Sequence, residues 1–255
     1  MDTKKELRPA VSEQESSDHA ESETEPVLVD RSLLRLGAVL GILGVLLQMS
    51  VSSLHPHRVD PNSSASVFAE YAQSPSWTMV HIGQFVGALL IVLGLVALAR
   101  SLSRQSGVAG ALAVFGAVTA VLVAAVFAVQ MAVDGVALKA TIETWVSATV
   151  PANKAAAFQV AESIRWIEKG LSGFFHIVNG ATLLALGLSV ALGRRFARWV
   201  GWFGVFAGAG FLATGVITAE TGFSDEAQRV VLPATLAMAI FLIGSFVSMW
   251  RRAAR

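Results

Sequence analysis

Residues 79–99 read MVHIGQFVGALLIVLGLVALA and contain no Asp, Glu, Lys or Arg. At 1.5 Å per residue a helix of that length reaches roughly 30 Å, the thickness of a bilayer's hydrocarbon layer. Five more stretches share the property: 36–54, 107–133, 171–193, 199–219 and 230–250. Their apolar residues run continuously rather than alternating, which disfavours a β-barrel. The fold class that follows is all-α, a polytopic membrane bundle of six transmembrane helices.

Composition supports this reading. Hydrophobic residues make up 54% of the 255 and charged residues 15%, whereas soluble domains are about a quarter charged. An ordinary soluble enzyme is therefore excluded. The Cys count is 0, which excludes disulfides, iron–sulfur clusters, thiolate zinc sites and Cys nucleophiles. The net charge of +1 gives no basic field, so a nucleic-acid partner is not expected. The lipid bilayer is the expected partner.

Two units are expected. Residues 1–30 form an acidic tail: Glu13, Glu15, Asp18, Glu21, Glu23, Glu25 and Asp30 follow Pro9 with no Lys or Arg between them. Such a stretch buries too little apolar surface to offset its chain entropy, so disorder is expected. Residues 31–255 form the six-span domain.

Orientation follows from Lys and Arg. The connections 100–106 and 193–198 and the end 251–255 are rich in Arg. The opposite connections, 55–78, 134–170 and 220–229, hold every acid outside the tail. The positive-inside rule then places both termini in the cytoplasm, with the protein in the cell membrane. Within the long segment 134–170, Leu138, Ile142, Trp145 and Thr149 recur at helical spacing. Ala157, Val160, Ile164, Ile167 and Leu171 do so again. Two amphipathic helices lying on the outer face are expected, with Asn153 as the N-cap of the second. Glu162, Arg165 and Glu168 lie three apart and can pair along a solvated edge.

The second and fourth spans share a motif. Gly87-Ala88-Leu89-Leu90-Ile91-Val92-Leu93-Gly94-Leu95 matches Gly180-Ala181-Thr182-Leu183-Leu184-Ala185-Leu186-Gly187-Leu188 in the first two residues, the Gly-Leu ending and more. His81-Ile82 precedes one and His176-Ile177 the other. A pair of parallel hairpins, spans two–three and four–five, is the repeat this implies. Gly37/Gly41, Gly83/Gly87 and Gly204/Gly208 read as helix-packing faces, which also allow self-association.

Sorted by depth, polar side chains gather at the outer ends of the spans: Gln48, His55, His57, His81, Gln84, Gln130, Asp134, His176, Asn179, Thr214, Thr218 and Glu220. An ionisable residue in a membrane span marks a functional site by default. His81 and His176 sit at similar depth, each with an amide three residues on, Gln84 and Asn179. The candidate ligand-binding residues are thus His81, Gln84, Asp134, His176, Asn179 and Glu220, with the two imidazoles facing each other and the two carboxylates at the mouth. A small ligand at the outer face is the expected partner. The residues name no metal and no cofactor. No nucleophile–base–orienter set is visible, so an enzyme is not expected. Three classes remain: a binding, sensory or accessory protein; a small-solute transporter or channel; and a b-type cytochrome with one haem between His81 and His176.

Asp134-Gly135-Val136-Ala137-Leu138-Lys139 after the third span, with the His81 and His176 helices around it, resembles uncharacterised six-helix bacterial membrane proteins of the domain-of-unknown-function type. The resemblance spans about 32–250 and implies topology without an activity or site. The orientation can be checked by labelling. Ser64→Cys and Ser224→Cys should react with an impermeant thiol reagent added outside, and Ser103→Cys should not. Labelling of the last alone would reverse the topology.

Overall fold

The computed structural model describes residues 14–56 and 59–254. Its elements are α1 (Gln14–Ser52), α2 (Ser64–Ala72), α3 (Trp77–Leu102), α4 (Val108–Ala132), a π-helical segment (Val133–Leu138), α5 (Lys139–Ser147), α6 (Pro151–Leu192), α7 (Arg198–Thr221) and α8 (Asp225–Ala253). The first thirteen residues of the acidic tail lie outside the described residues. Helix α1 begins at Gln14, and its side-chain packing is described from Arg31. Among the described residues six helical stretches are long and apolar enough to cross a membrane, and each overlaps one of the six charge-free runs. The protein is a multi-pass, all-α membrane bundle.

The spans form a closed ring in chain order. Helix α1 packs on α3, α3 on α4, α4 on α6, α6 on α7, α7 on α8, and α8 returns to α1. Leu98, Leu102, Leu183, Leu186, Phe241 and Phe246 fill the middle and are buried. In lipid there is no hydrophobic force between helices, so close backbone approach has to supply the contact energy. Two glycine ladders do this. Gly173, Gly180 and Gly187 of α6 meet Gly215, Gly208 and Gly201 of α7, one rising in number as the other falls, as antiparallel helices require. A β-carbon placed at Gly180 would lie 2.8 Å from the Gly208 carbonyl oxygen, and one at Gly208 would lie 2.7 Å from that of Gly180. Gly37 and Gly44 of α1 face Gly94 and Gly87 of α3 in the same way. The shared motif of the second and fourth spans is therefore a common packing device, glycine every seventh residue against an antiparallel neighbour. Its partners are α1 in one case and α7 in the other.

One end of the bundle is held by arginines acting on helix C-termini, whose last carbonyls have no partner within the helix. Arg195 bonds the Ser101 carbonyl, Arg198 Nε donates to Ala191 O at 2.9 Å, and Arg35 Nη2 donates to Ala253 O at 3.1 Å.

The other end departs from the expected surface helices. The first of them, α5, continues from α4 through the π-helical segment. The second is the beginning of α6, which runs unbroken from Pro151 to Leu192. At 42 residues α6 is about 63 Å long, twice the hydrocarbon thickness, so its first half stands beyond the span. It starts with Pro151 in the first helical turn and Val150 as cap, not at Asn153, because proline's fixed φ suits a position whose N–H has no helical acceptor. Against this extension pack α2, α5 and the head of α3. Val67, Phe68, Tyr71, Trp77, Leu138, Ile142 and Ala161 form a second, smaller core there.

The α6–α7 ladder generates a prediction. Gly180→Ala and Gly208→Ala should each lower the melting temperature of the detergent-purified protein, by the roughly 1–3 kcal/mol typical of overpacking. Gly170→Ala, with no atom within 4 Å of its β-carbon, should not lower it. The double variant should lose less than the sum, since both β-carbons open the same gap.

Candidate functional site

The site is built where α3 starts and α4 ends. A π-helix bonds i to i+5, which shifts backbone carbonyls off the α-helical ladder, and such segments recur at functional sites. Here the head of α3 takes up two of them. Trp77 Nε1 donates to Asp134 O at 2.9 Å, and Thr78 Oγ1 donates to Gly135 O at 2.8 Å. One turn deeper, His81 Nε2 lies 2.9 Å from Asp134 Oδ2. Both side chains are buried. The approach requires glycine at 135, since a β-carbon there would sit 2.5 Å from His81 Cβ.

His81 Nδ1 is 2.8 Å from the Trp77 carbonyl oxygen. A carbonyl only accepts, so Nδ1 carries the proton. His55, in the turn after α1, repeats the arrangement with Nδ1 2.7 Å from Pro56 O. Its ring lies 5.3 Å from His81 and 4.8 Å from Trp77, centroid to centroid. Tyr71 completes the aromatic wall at 3.8 Å from Trp77. Burial lowers the pKa of His55 below the ordinary imidazole value, against the opposing effect of the Asp134 carboxylate. Burial also raises the Tyr71 phenol above its usual value.

Beside this wall stands a second charged group. Arg165, buried, bonds Glu168 and donates from Nη2 to Pro61 O at 3.2 Å. Its guanidinium lies over Phe223 at 5.0 Å and Tyr71 at 5.4 Å. The expected Arg165–Glu168 pairing is present, but on a buried edge and not a solvated one, because α2 and the loops fold over the protruding half of α6. Asn62 Nδ2 donates to Phe223 O at 3.0 Å, tying those loops together. Lys139 Nζ donates to the carbonyls of Tyr71, Ala72 and Ser74 and so closes the C-terminus of α2.

These elements enclose a cavity of about 440 Å³, lined among others by His55, Asp134, Arg165, Glu168, His176 and Thr218. Among the described residues, Asp134 Oδ1, Arg165 Nε and His176 Nδ1 are buried with no hydrogen-bond partner within the chain. All three residues line this cavity.

The residues singled out from sequence are placed as follows. His81 and Asp134 come together. His176 lies elsewhere on the wall, its ring 5.6 Å from Phe211 and 5.5 Å from Phe175. His81 and His176 therefore have different ring neighbours, and the bonded partner of His81 is Asp134. Gln84 Nε2 reaches Ser52 Oγ of α1 at 3.4 Å. Asn179 Nδ2 meets Met238 Sδ of α8 at 3.7 Å, and Glu220 is exposed near the end of α7. His57 lies outside the described residues. The candidate set read from sequence left out His55, Arg165 and Glu168. His55 carried a signal, a histidine at the same end of the neighbouring span. Arg165 and Glu168 carried none, because an i,i+3 ion pair looks the same whether buried or exposed.

The match to known proteins covers residues 32–249, from the first span to the last, and is to the family described as Domain of unknown function (DUF4386). The chain belongs to that family. No curated protein and no solved structure matches it. The DUF4386 region thus takes in α3, the π-helical segment, α6 and the whole cavity wall, and leaves the acidic tail outside.

A double-mutant cycle checks the geometry. His81→Ala and Asp134→Ala should couple by roughly 0.5–3 kcal/mol, whereas His81→Ala and His176→Ala should add to within about 0.5 kcal/mol. Additive losses for the first pair would remove the buried hydrogen bond.

Proposed function

We propose that this DUF4386 protein is a ligand-binding, sensory or accessory protein of the cell membrane, with both termini cytoplasmic and the cavity open to the outer face. The observation that carries the reading is the set of unsatisfied atoms on one wall: an acceptor at Asp134 Oδ1, a donor at Arg165 Nε and His176 Nδ1. Leaving such groups unpaired costs about 1–3 kcal/mol each, more when charged. Within one cavity they call for a small polar molecule that both donates and accepts. The volume lies in the range of small-molecule sites, about 300–1,000 Å³. The orientation rests on the Lys and Arg asymmetry.

Below the cavity the ring closes over Leu183, Leu186, Phe241 and Phe246. That favours binding over passage, since a transporter route lines the midplane with polar groups. The haem reading needs two imidazoles directed at one iron, and His81 turns Nε2 to Asp134 instead.

The test is extraction of protein purified from its own membranes, followed by mass spectrometry. Wild-type protein should release a small polar compound in proportion to the chain. Thr218→Trp, which fills the cavity from α7, should release none while still melting cooperatively. Equal extracts from the two proteins would sink the binding reading. Vesicle uptake of a solute, lost in the same variant, would replace it with transport.

A further inference from the structure

We propose that His55, His81 and Asp134 bind a divalent transition-metal ion, zinc by the chemistry of the donor set, at the wall of the cavity. One ligand atom from each residue lies within 4.8 Å of the others. The three come from the turn after α1, from α3 and from the π-helical segment, elements that only the tertiary fold brings together.

The hydrogen-bonding pattern prepares these atoms for a cation. Both Nδ1 atoms are held by backbone carbonyls, Pro56 O at 2.7 Å and Trp77 O at 2.8 Å. Each Nδ1 therefore bears a proton, and in the neutral imidazole the lone pair is on Nε2. Metal-ligating histidines are oriented in this way, the second nitrogen donating to a carbonyl or carboxylate. His81 Nε2 faces the Asp134 carboxylate at 2.9 Å, a contact that needs a proton or a metal ion between the two atoms. A metal ion would serve all three residues, and it would also neutralise a carboxylate that is 6% exposed with Oδ1 unpartnered.

The donor set selects the ion. Calcium and magnesium take oxygen ligands, whereas two imidazoles and a carboxylate suit zinc and its first-row neighbours. Three protein ligands leave one tetrahedral position for water or a bound molecule, and His55 and Asp134 also line the cavity. Zinc bonds of about 2.0–2.2 Å set ligand atoms roughly 3.3 Å apart, so the His81–Asp134 contact of 2.9 Å has to open a little and the wider separations, up to 4.8 Å, have to close by up to about 1.5 Å. His55 sits in a turn and not in a helix, and it is the residue that can close.

The inference shares a cavity wall with the proposed function and does not depend on it, because metal is measured with no organic ligand added. Full-length protein in detergent is stripped with a chelator, reloaded with zinc and titrated. Wild type should hold one zinc ion per chain. His55→Ala and Asp134→Asn should each weaken binding by more than about 100-fold, beyond the effect of losing an outer-shell partner. His176→Ala, on the same cavity but outside the cluster, should bind as wild type does. Absence of stoichiometric zinc in wild type, or equal zinc in His55→Ala, would overturn the site. Should the variants fold poorly, cobalt(II) in wild type decides. Intense tetrahedral visible bands support the site, and weak octahedral bands or none overturn it. Zinc bound to protein whose extract holds no organic compound would leave this inference standing and remove the binding reading.

Discussion

Inside the hydrocarbon layer a polar group has no water to turn to, so each must find its partner within the chain. At one end of this bundle that constraint falls on Asp134. Its carboxylate is buried between α3 and α4, and it is met by His81 in the side chain and by Trp77 in the backbone. The π-helical segment makes this geometry available by turning two carbonyls towards α3, and Gly135 leaves room for the imidazole. The position of α5 follows from the same irregularity, since it continues α4 on a shifted register. The small core under α2 follows in turn, with Leu138 and Ile142 on one side and Trp77 on the other.

The remainder of the bundle answers a different demand. Apolar helices gain nothing from leaving lipid for one another, so contact has to come from dispersion at short range. The α1–α3 and α6–α7 pairs reach backbone-to-backbone contact through glycines seven residues apart. These two tight pairs hold the ring, and α4 and α8 join them with larger side chains such as Phe241 and Phe246. Because α6 belongs to one tight pair and also extends beyond the span, it fixes Arg165 and Glu168 rigidly against the loops. The charged wall of the cavity is thus mounted on the most closely packed helix. Rigid mounting of this kind lets a site hold its geometry before a ligand arrives.

The cavity differs from an empty packing defect in its lining. Empty defects in protein interiors are apolar and stay dry. This one is lined by charged and hydrogen-bonding groups from several elements, and three of them, Asp134, Arg165 and His176, each have a buried polar atom without a hydrogen-bond partner within the chain. Arg165 has its guanidinium over two aromatic rings, Tyr71 and Phe223, while its Nε is left without a partner within the chain. His55 and Asp134 belong to both the cavity and the three-residue cluster, so whatever occupies one would be felt at the other.

The sequence by itself determined the class and the number of spans. Six runs without charge are each long enough to span, and length and polarity are local properties that need no knowledge of the partner. It also singled out His81 and Asp134 as ionisable residues near the same end of the spans, and the repeated Gly-Ala…Gly-Leu motif proved to be a shared packing device. The tertiary structure alone decided which polar groups meet. His81 pairs with Asp134 and not with His176, because rotation about each helix axis is fixed by the glycine ladders and the π-helical segment, and neither angle is written in hydropathy. The solvated edge expected at Glu162, Arg165 and Glu168 became a buried one for the same kind of reason. An i,i+3 charge pair specifies a helix face, and only the chain that folds over that face determines whether water reaches it.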